Sequence, residues 1–143
     1  MVAEYSRNDL QTVSVDGNIV FNNGDRYCRK GLIQHRDDSG IFRIKGASNA
    51  CRSIYKVQYT GNIAVSAGGT VGPISIALVQ NGEVLRNAVA TVTVAAIGAF
   101  NNVTLSTFII LPCGCCDTIS VENISDGTAI DVINSNLIID RVA

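Results

Sequence analysis

The sequence predicts an all-β protein folded as two packed antiparallel sheets, and three observations carry that reading. Aliphatic and β-branched residues recur with period two along several segments. Gly and Asn punctuate those segments every several residues, as turns do in a sandwich or barrel. No window of useful length repeats apolar residues at i, i+3, i+4 and i+7 between capping residues.

In chain order, Asn18–Asn22 reads as a short strand ending in the turn Asn22-Asn23-Gly24-Asp25. Gly40–Lys45 sets Phe42 and Ile44 on one face against Ile41, Arg43 and Lys45 on the other. Ser53–Ala67 places Tyr55, Val57 and Tyr59 together, with Gly61-Asn62 expected as a bend or bulge. Along Gly72–Val79, Ile74, Ile76 and Leu78 share one face, and Ser75 and Ala77 the opposite one. Gln80-Asn81-Gly82-Glu83 then predicts a tight hairpin, because Asn and Gly both tolerate positive φ. Val84 and Leu85 open the returning strand. Val89–Ala96 alternates Thr91 and Thr93 with Val92 and Val94, and this content favours strand over helix for the wider stretch Ala88–Phe100. Val103–Leu111 and Thr118–Asn123 flank a turn at Pro112-Cys113-Gly114. Ala129–Val132 and Asn136–Val142 close the chain around Asn134-Ser135-Asn136. About eight to ten strands exceed one typical sheet, so two packed sheets are the natural arrangement.

With 143 residues and no linker or low-complexity stretch, the chain fits a single domain. Hydrophobic residues make up 47% and charged residues 16%, which excludes a disordered polar chain. Trp is absent and aromatics are 6%, so Val, Ile, Leu and Ala must build the core. Lys+Arg 11 against Asp+Glu 12 gives a net charge of −1, which argues against a domain-wide grip on nucleic acid. Met1–Gln11 has no apolar run behind a basic start, so no signal peptide is expected. The apolar stretch Ala88–Phe100 is too short and too interrupted for a membrane span.

Chemistry-bearing residues are few. Five cysteines, Cys28, Cys51, Cys113, Cys115 and Cys116, cannot all pair within one chain, and reduced, mostly buried thiols are expected. Cys113 and Cys116 match a C-x₂-C spacing, and with Cys28, Cys51 or His35 they are the candidate zinc ligands; a second such pair is missing. His35, the single His, would have to serve any nucleophile–His–acid system. It sits in the polar stretch Gln34–Gly40, where nothing near Ser39 resembles a G-x-S-x-G elbow. Asp25, Asp37, Asp38 and Asp126 could reach a calcium ion, but no D-x-D-x-D-G loop is present. Gly68–Pro73 lacks the Lys-Ser/Thr ending of a phosphate-binding loop. Asn102-Val103-Thr104 and Asn123-Ile124-Ser125 match the glycosylation sequon by chance. No catalytic residue and no cofactor are expected.

Charge is unevenly spread. Nine bases and six acids in the first 60 positions leave +3, while two bases and six acids in the rest leave −4. Arg26, Arg29, Lys30, Arg43 and Lys45 are therefore candidate contacts to an acidic partner, against the plainer role of keeping a sandwich soluble.

The order of these features resembles the C1q/TNF-type jelly roll, and most closely the C-terminal domain of BclA-like surface proteins and small phage or prophage structural proteins of Gram-positive bacteria. Tyr55–Tyr59 resembles that family's long central strand, and Ile74–Leu78 followed by Asn81-Gly82-Glu83 its strand-and-hairpin element. Leu105–Leu111 running into Gly114–Asn123 resembles its apolar strand, turn and D-x-I-x-V-x-N stretch. Asn136–Ala143 resembles its closing x-L-x-I-x-R-x-A strand. The likeness covers roughly Val13 to Ala143, leaving residues 1–12 as an expected N-terminal arm before a jelly-roll domain at 13–143.

The resemblance implies a single-domain antiparallel jelly-roll β-sandwich assembled as a homotrimer. Small side chains such as Thr91, Thr93, Thr104 and Ser106 suit a sheet face half buried in a neighbour. No collagen-like Gly-X-Y stalk precedes the domain here, which favours a stand-alone head. The leading expectation is a non-enzymatic phage or prophage virion protein, a head decoration or fibre tip, made in the bacterial cytoplasm and carried on the particle surface. Its partners would be its own copies and capsid or other virion proteins, with no nucleic acid and no membrane. The alternative is a spore-coat or cell-surface adhesion module of BclA type that binds glycans or host proteins. A sugar-processing or other small-molecule enzyme on a jelly roll is the third class.

Overall fold

Period-two alternation becomes burial in the computed structural model, which describes residues 2–26, 32–46, 52–112 and 116–143. Among these residues none is helical, and eleven strands form. They are β1 (Val2–Arg7), β2 (Gln11–Val13), β3 (Asn23–Arg26), β4 (Ile33–His35), β5 (Phe42–Lys45), β6 (Arg52–Val65), β7 (Pro73–Gln80), β8 (Glu83–Thr93), β9 (Asn101–Pro112), β10 (Cys116–Asn123) and β11 (Ile130–Arg141). One sheet runs β3-β1-β11-β6-β9, with β2 also paired to β11; the other runs β4-β5-β10-β7-β8. All pairings are antiparallel, and from β5 onward the chain changes sheet at every connection except the β7–β8 hairpin. That is the jelly-roll winding of a two-sheet sandwich.

The core lies between the sheets. Tyr55, Val57 and Tyr59 of β6 face Ile74, Ile76 and Leu78 of β7 and Phe42 and Ile44 of β5, all fully buried. Phe21 bridges the layers, edge-on to Phe42 at 5.3 Å and to Tyr59 at 6.3 Å between ring centroids. The Asn81-Gly82 turn forms as its sequence requires, with φ of 52° and 82° at its two positions. Asn81 also fastens the hairpin to β10: its Oδ1 accepts the Thr118 backbone N–H at 2.9 Å.

Four expectations are corrected. Residues 2–12 of the expected arm do not stand off, because Val2–Arg7 pairs along its length with β11 and buries Ala3 and Tyr5. The expected boundary at 12/13 falls inside β2. Asn18–Asn22 makes isolated bridges at Asn18 and Phe21, whereas Asn23–Arg26, overlapping the expected turn, is an edge strand beside β1. An edge strand needs pairing on one side and little side-chain burial, so Asn and Gly serve there. Lastly, β6 runs unbroken through Gly61-Asn62. The irregularity lies opposite, between Ile133 and Asn136, where Asn134 takes φ 54° and turns two expected strands into one bulged β11.

Gly61 is needed for a different reason. A Cβ there would overlap the Tyr59 hydroxyl and lie 2.9 Å from Tyr59 Cζ. Tyr59 instead shares a hydrogen bond of 3.1 Å with Ser135 Oγ across to the bulge. Gly61→Ala is expected to lower stability by about 1–3 kcal/mol through overpacking, read as a drop in Tm. The drop should be smaller in a Tyr59→Phe background; an equal drop would place the strain elsewhere.

Candidate functional site

Alternation along β9 buries Val103, Leu105, Thr107, Ile109 and Leu111 and turns Thr104, Ser106, Phe108 and Ile110 outward. Register extends this outer face across the six-stranded sheet. Ser106 lies beside Gln58, then Ile138, then Glu4; Thr104 lies beside Thr60, then Asn136, then Ser6. Phe108 sits against Lys56, and Ile110 against Ile54. Phe108 is 61% and Ile110 55% exposed, while Ile54 and Ile138 are half-buried. The centre of this face therefore holds hydroxyls, amides and four large apolar side chains, with Glu4, Lys56 and Asp140 as its charges. Asn136 Nδ2 donates to Glu4 Oε1 at 3.0 Å, which anchors that carboxylate on the face.

Of the four small residues expected on a shared face, Thr104 and Ser106 are here. Thr91 and Thr93 lie on the outer face of the other sheet, where Thr91 Oγ1 meets Ser75 Oγ at 2.7 Å. Sequence reading did not single out Phe108 and Ile110. Phe108-Ile109-Ile110-Leu111 is one continuous apolar run, in which period two is invisible; the phase had to be carried in from Val103 and Leu105.

The other candidates separate. His35 stacks on Phe42 (centroids 4.2 Å, 13° between planes), and its Nε2 is 2.7 Å from the Ser39 carbonyl. It is paired with Phe42, whereas Cys116 is paired with Lys45, three residues along β5 and on the opposite face of the sheet. Those two proposed zinc ligands are thus not brought together; Cys28, Cys51, Cys113 and Cys115 lie outside the described residues. Among the described residues no group of three His, Cys, Asp or Glu is placed to hold a metal. Asp37 and Asp38 form an exposed turn, with Asp38 at φ 63°. Asn123 is fully buried, so its sequon is inaccessible, while Asn102 is exposed and its Nδ2 donates to Asn62 Oδ1 at 3.1 Å. Among the basic candidates, Arg26 falls in β3 opposite Glu4, Arg29 and Lys30 lie outside the described residues, and Arg43 and Lys45 are exposed on β5. No helix among the described residues is long and apolar enough to cross a membrane.

Electrostatic perturbations are structural. The Arg7 side chain, hydrogen-bonded to Asp9, lowers that carboxyl below its usual range. Burial, helped by Asp16, pushes the Glu122 carboxyl up. Burial pushes the Tyr59 hydroxyl up to about 12, against the opposing bond from Ser135. The folded chain therefore keeps the Tyr59 proton where the unfolded chain, at the ordinary 10.0, has lost it. Its contribution to stability is complete below the unfolded value and is lost as pH rises through the folded one. Tm is expected to fall between pH 10 and 12, and to fall less in Tyr59→Phe; identical alkaline profiles would contradict the assignment.

Strand order, crossings and the tight β7–β8 hairpin define an antiparallel two-sheet jelly roll. No protein-family model and no curated protein sequence matches the chain. Solved structures do. Over its whole length it superposes on 92% of Eiger TNF from S. frugiperda, with a TM-score of 0.71 and 16% identity. Murine APRIL matches with a TM-score of 0.62 and 12% identity, covering 98% of this chain and 99% of that one. The globular domain of zebrafish complement 1qA protein matches with a TM-score of 0.56 and 12% identity, covering 94% of each. At these identities the likeness is one of fold.

Proposed function

We propose that this chain is a non-enzymatic structural or binding module that assembles as a homotrimer through the outer face of its six-stranded sheet. The observation that carries the reading is the pair Phe108 and Ile110, both more than half exposed on an otherwise uncharged stretch of β9. Large apolar side chains set beside Ser, Thr and Gln have the composition of a covered interface rather than a solvated face. Closed cyclic assembly is the common way for one chain to cover such a face with its own copies. The chain's fit to a TNF/C1q jelly roll from end to end, and the scarcity of chemistry-bearing residues, support a binding role over catalysis.

Within that role the trimer serves as a phage or prophage virion component, a head decoration or fibre tip, reaching the particle surface from the cytoplasm and contacting capsid or other virion proteins. A near-neutral charge balance and the resemblance to small phage structural proteins support this setting. The test is fractionation of induced lysates of the producing strain with an antibody to the chain. Co-sedimentation with intact particles, and labelling of them in electron micrographs, is expected. Recovery in spore-coat or cell-envelope fractions would replace it with the adhesion reading.

A further inference from the structure

On the face of the five-stranded sheet that points away from the core, a cavity of about 140 Å³ is lined by Leu32, Gln34, Arg43, Lys45 and Cys116. Its composition follows from register. Arg43 and Lys45 are two residues apart on β5 and so point the same way. Gln34 of β4 stands opposite Arg43, and Cys116 of β10 opposite Lys45. Asp117, the nearest acid in sequence, alternates to the other face, where its Oδ2 accepts Gln80 Nε2 at 2.6 Å. Among the described residues, therefore, no carboxylate lines the cavity. Among the described residues the one salt bridge is Arg7–Asp9, and neither the Arg43 nor the Lys45 side chain has an acid partner. The backbone beneath is held, since the Tyr55 hydroxyl donates to the Lys45 carbonyl at 2.8 Å.

Two like charges on neighbouring same-face positions repel, and neither meets an acid among the described residues. An oxyanion between them would relieve that repulsion. The Arg fork matches carboxylate or phosphate geometry, Lys adds a point charge, and the Gln34 amide can donate a further hydrogen bond. We infer that this cavity is a binding site for one oxyanionic group, a carboxylate or a phosphate, presented by a partner molecule. The volume holds a headgroup of a few atoms, not a nucleotide or a sugar chain. The site lies on the opposite sheet from the proposed trimer seam and does not rest on it.

The test is an amide-resolved NMR titration of the full chain with acetate in one arm and inorganic phosphate in the other, at constant ionic strength. Saturable shifts at Gln34, Arg43, Lys45 and Cys116 are expected in at least one arm, and the arm that saturates at lower concentration identifies the acid class. Arg43→Gln and Lys45→Gln change exposed strand positions, so both variants should fold, and each should weaken binding about tenfold, as loss of one charge-assisted contact does. Shifts that never saturate, or that persist unchanged in the double variant, would overturn the site.

Discussion

Phe108→Glu is expected to convert the trimer into a folded monomer. Phe108 is 61% exposed in the single chain, so the substitution costs the protomer little. In the assembly, however, each copy would press a carboxylate against Ile110, Ile54 and Ile138 or their equivalents. Lys56 stands beside it on β6, but desolvating even a paired carboxylate in such a setting costs several kcal/mol per site, and three sites act together. Light scattering should report the monomer mass, while circular dichroism and Tm stay near those of the dissociated parent. Ile110→Asp, at 55% exposure on the same face, should act likewise. Ile41 supplies the control: it is apolar and 51% exposed, but it adjoins β5 of the other sheet, so Ile41→Glu should leave the trimer intact. A Phe108→Glu trimer, or dissociation by Ile41→Glu, would move the seam to another face.

Asn123→Ala should be the most destabilising single change among the polar residues. Asn123 is fully buried at the end of β10. Its Nδ2 lies 3.1 Å from the Val13 carbonyl, 3.3 Å from that of Ser14 and 2.9 Å from that of Thr128, and its Oδ1 accepts the Ser125 N–H at 3.0 Å. One amide thus joins three connections: the segment after β2, the end of β10 and the approach to β11. Truncation would strand several buried backbone groups at about 1–3 kcal/mol each. A total loss of roughly 3–5 kcal/mol is expected, measured by urea unfolding with an unchanged m-value. A loss below about 1 kcal/mol would mean that water satisfies those groups instead.

How legible each feature was follows from its periodicity. Phe42/Ile44, Tyr55/Val57/Tyr59 and Ile74/Ile76/Leu78 alternate with polar or small residues, and each lies inward as read. The Asn81-Gly82 hairpin was legible because its chemistry is local. The strand at Val2–Arg7 was not, since its identity depends on β11, more than 120 positions away, offering a pairing edge. Asn23–Asp25 carries turn chemistry yet lies in strand β3, because composition cannot distinguish a sheet edge from a loop. On the functional side, Arg43 and Lys45 could be named from charge, but the cavity needs Gln34 and Cys116, which only strand register brings beside them. Phe108 and Ile110 were hidden in an apolar run whose outward half becomes visible only once the sheet exists. His35 shows the reverse case: a residue notable in sequence proves to be stacked into the edge of the core.

The seam between copies is the central claim, and the solution mass of the purified full chain at micromolar concentration tests it most directly. Light scattering should give three times the 15.1 kDa of a single chain. A mass of one or two chains would contradict the trimer and leave Phe108 and Ile110 to be covered by a different partner.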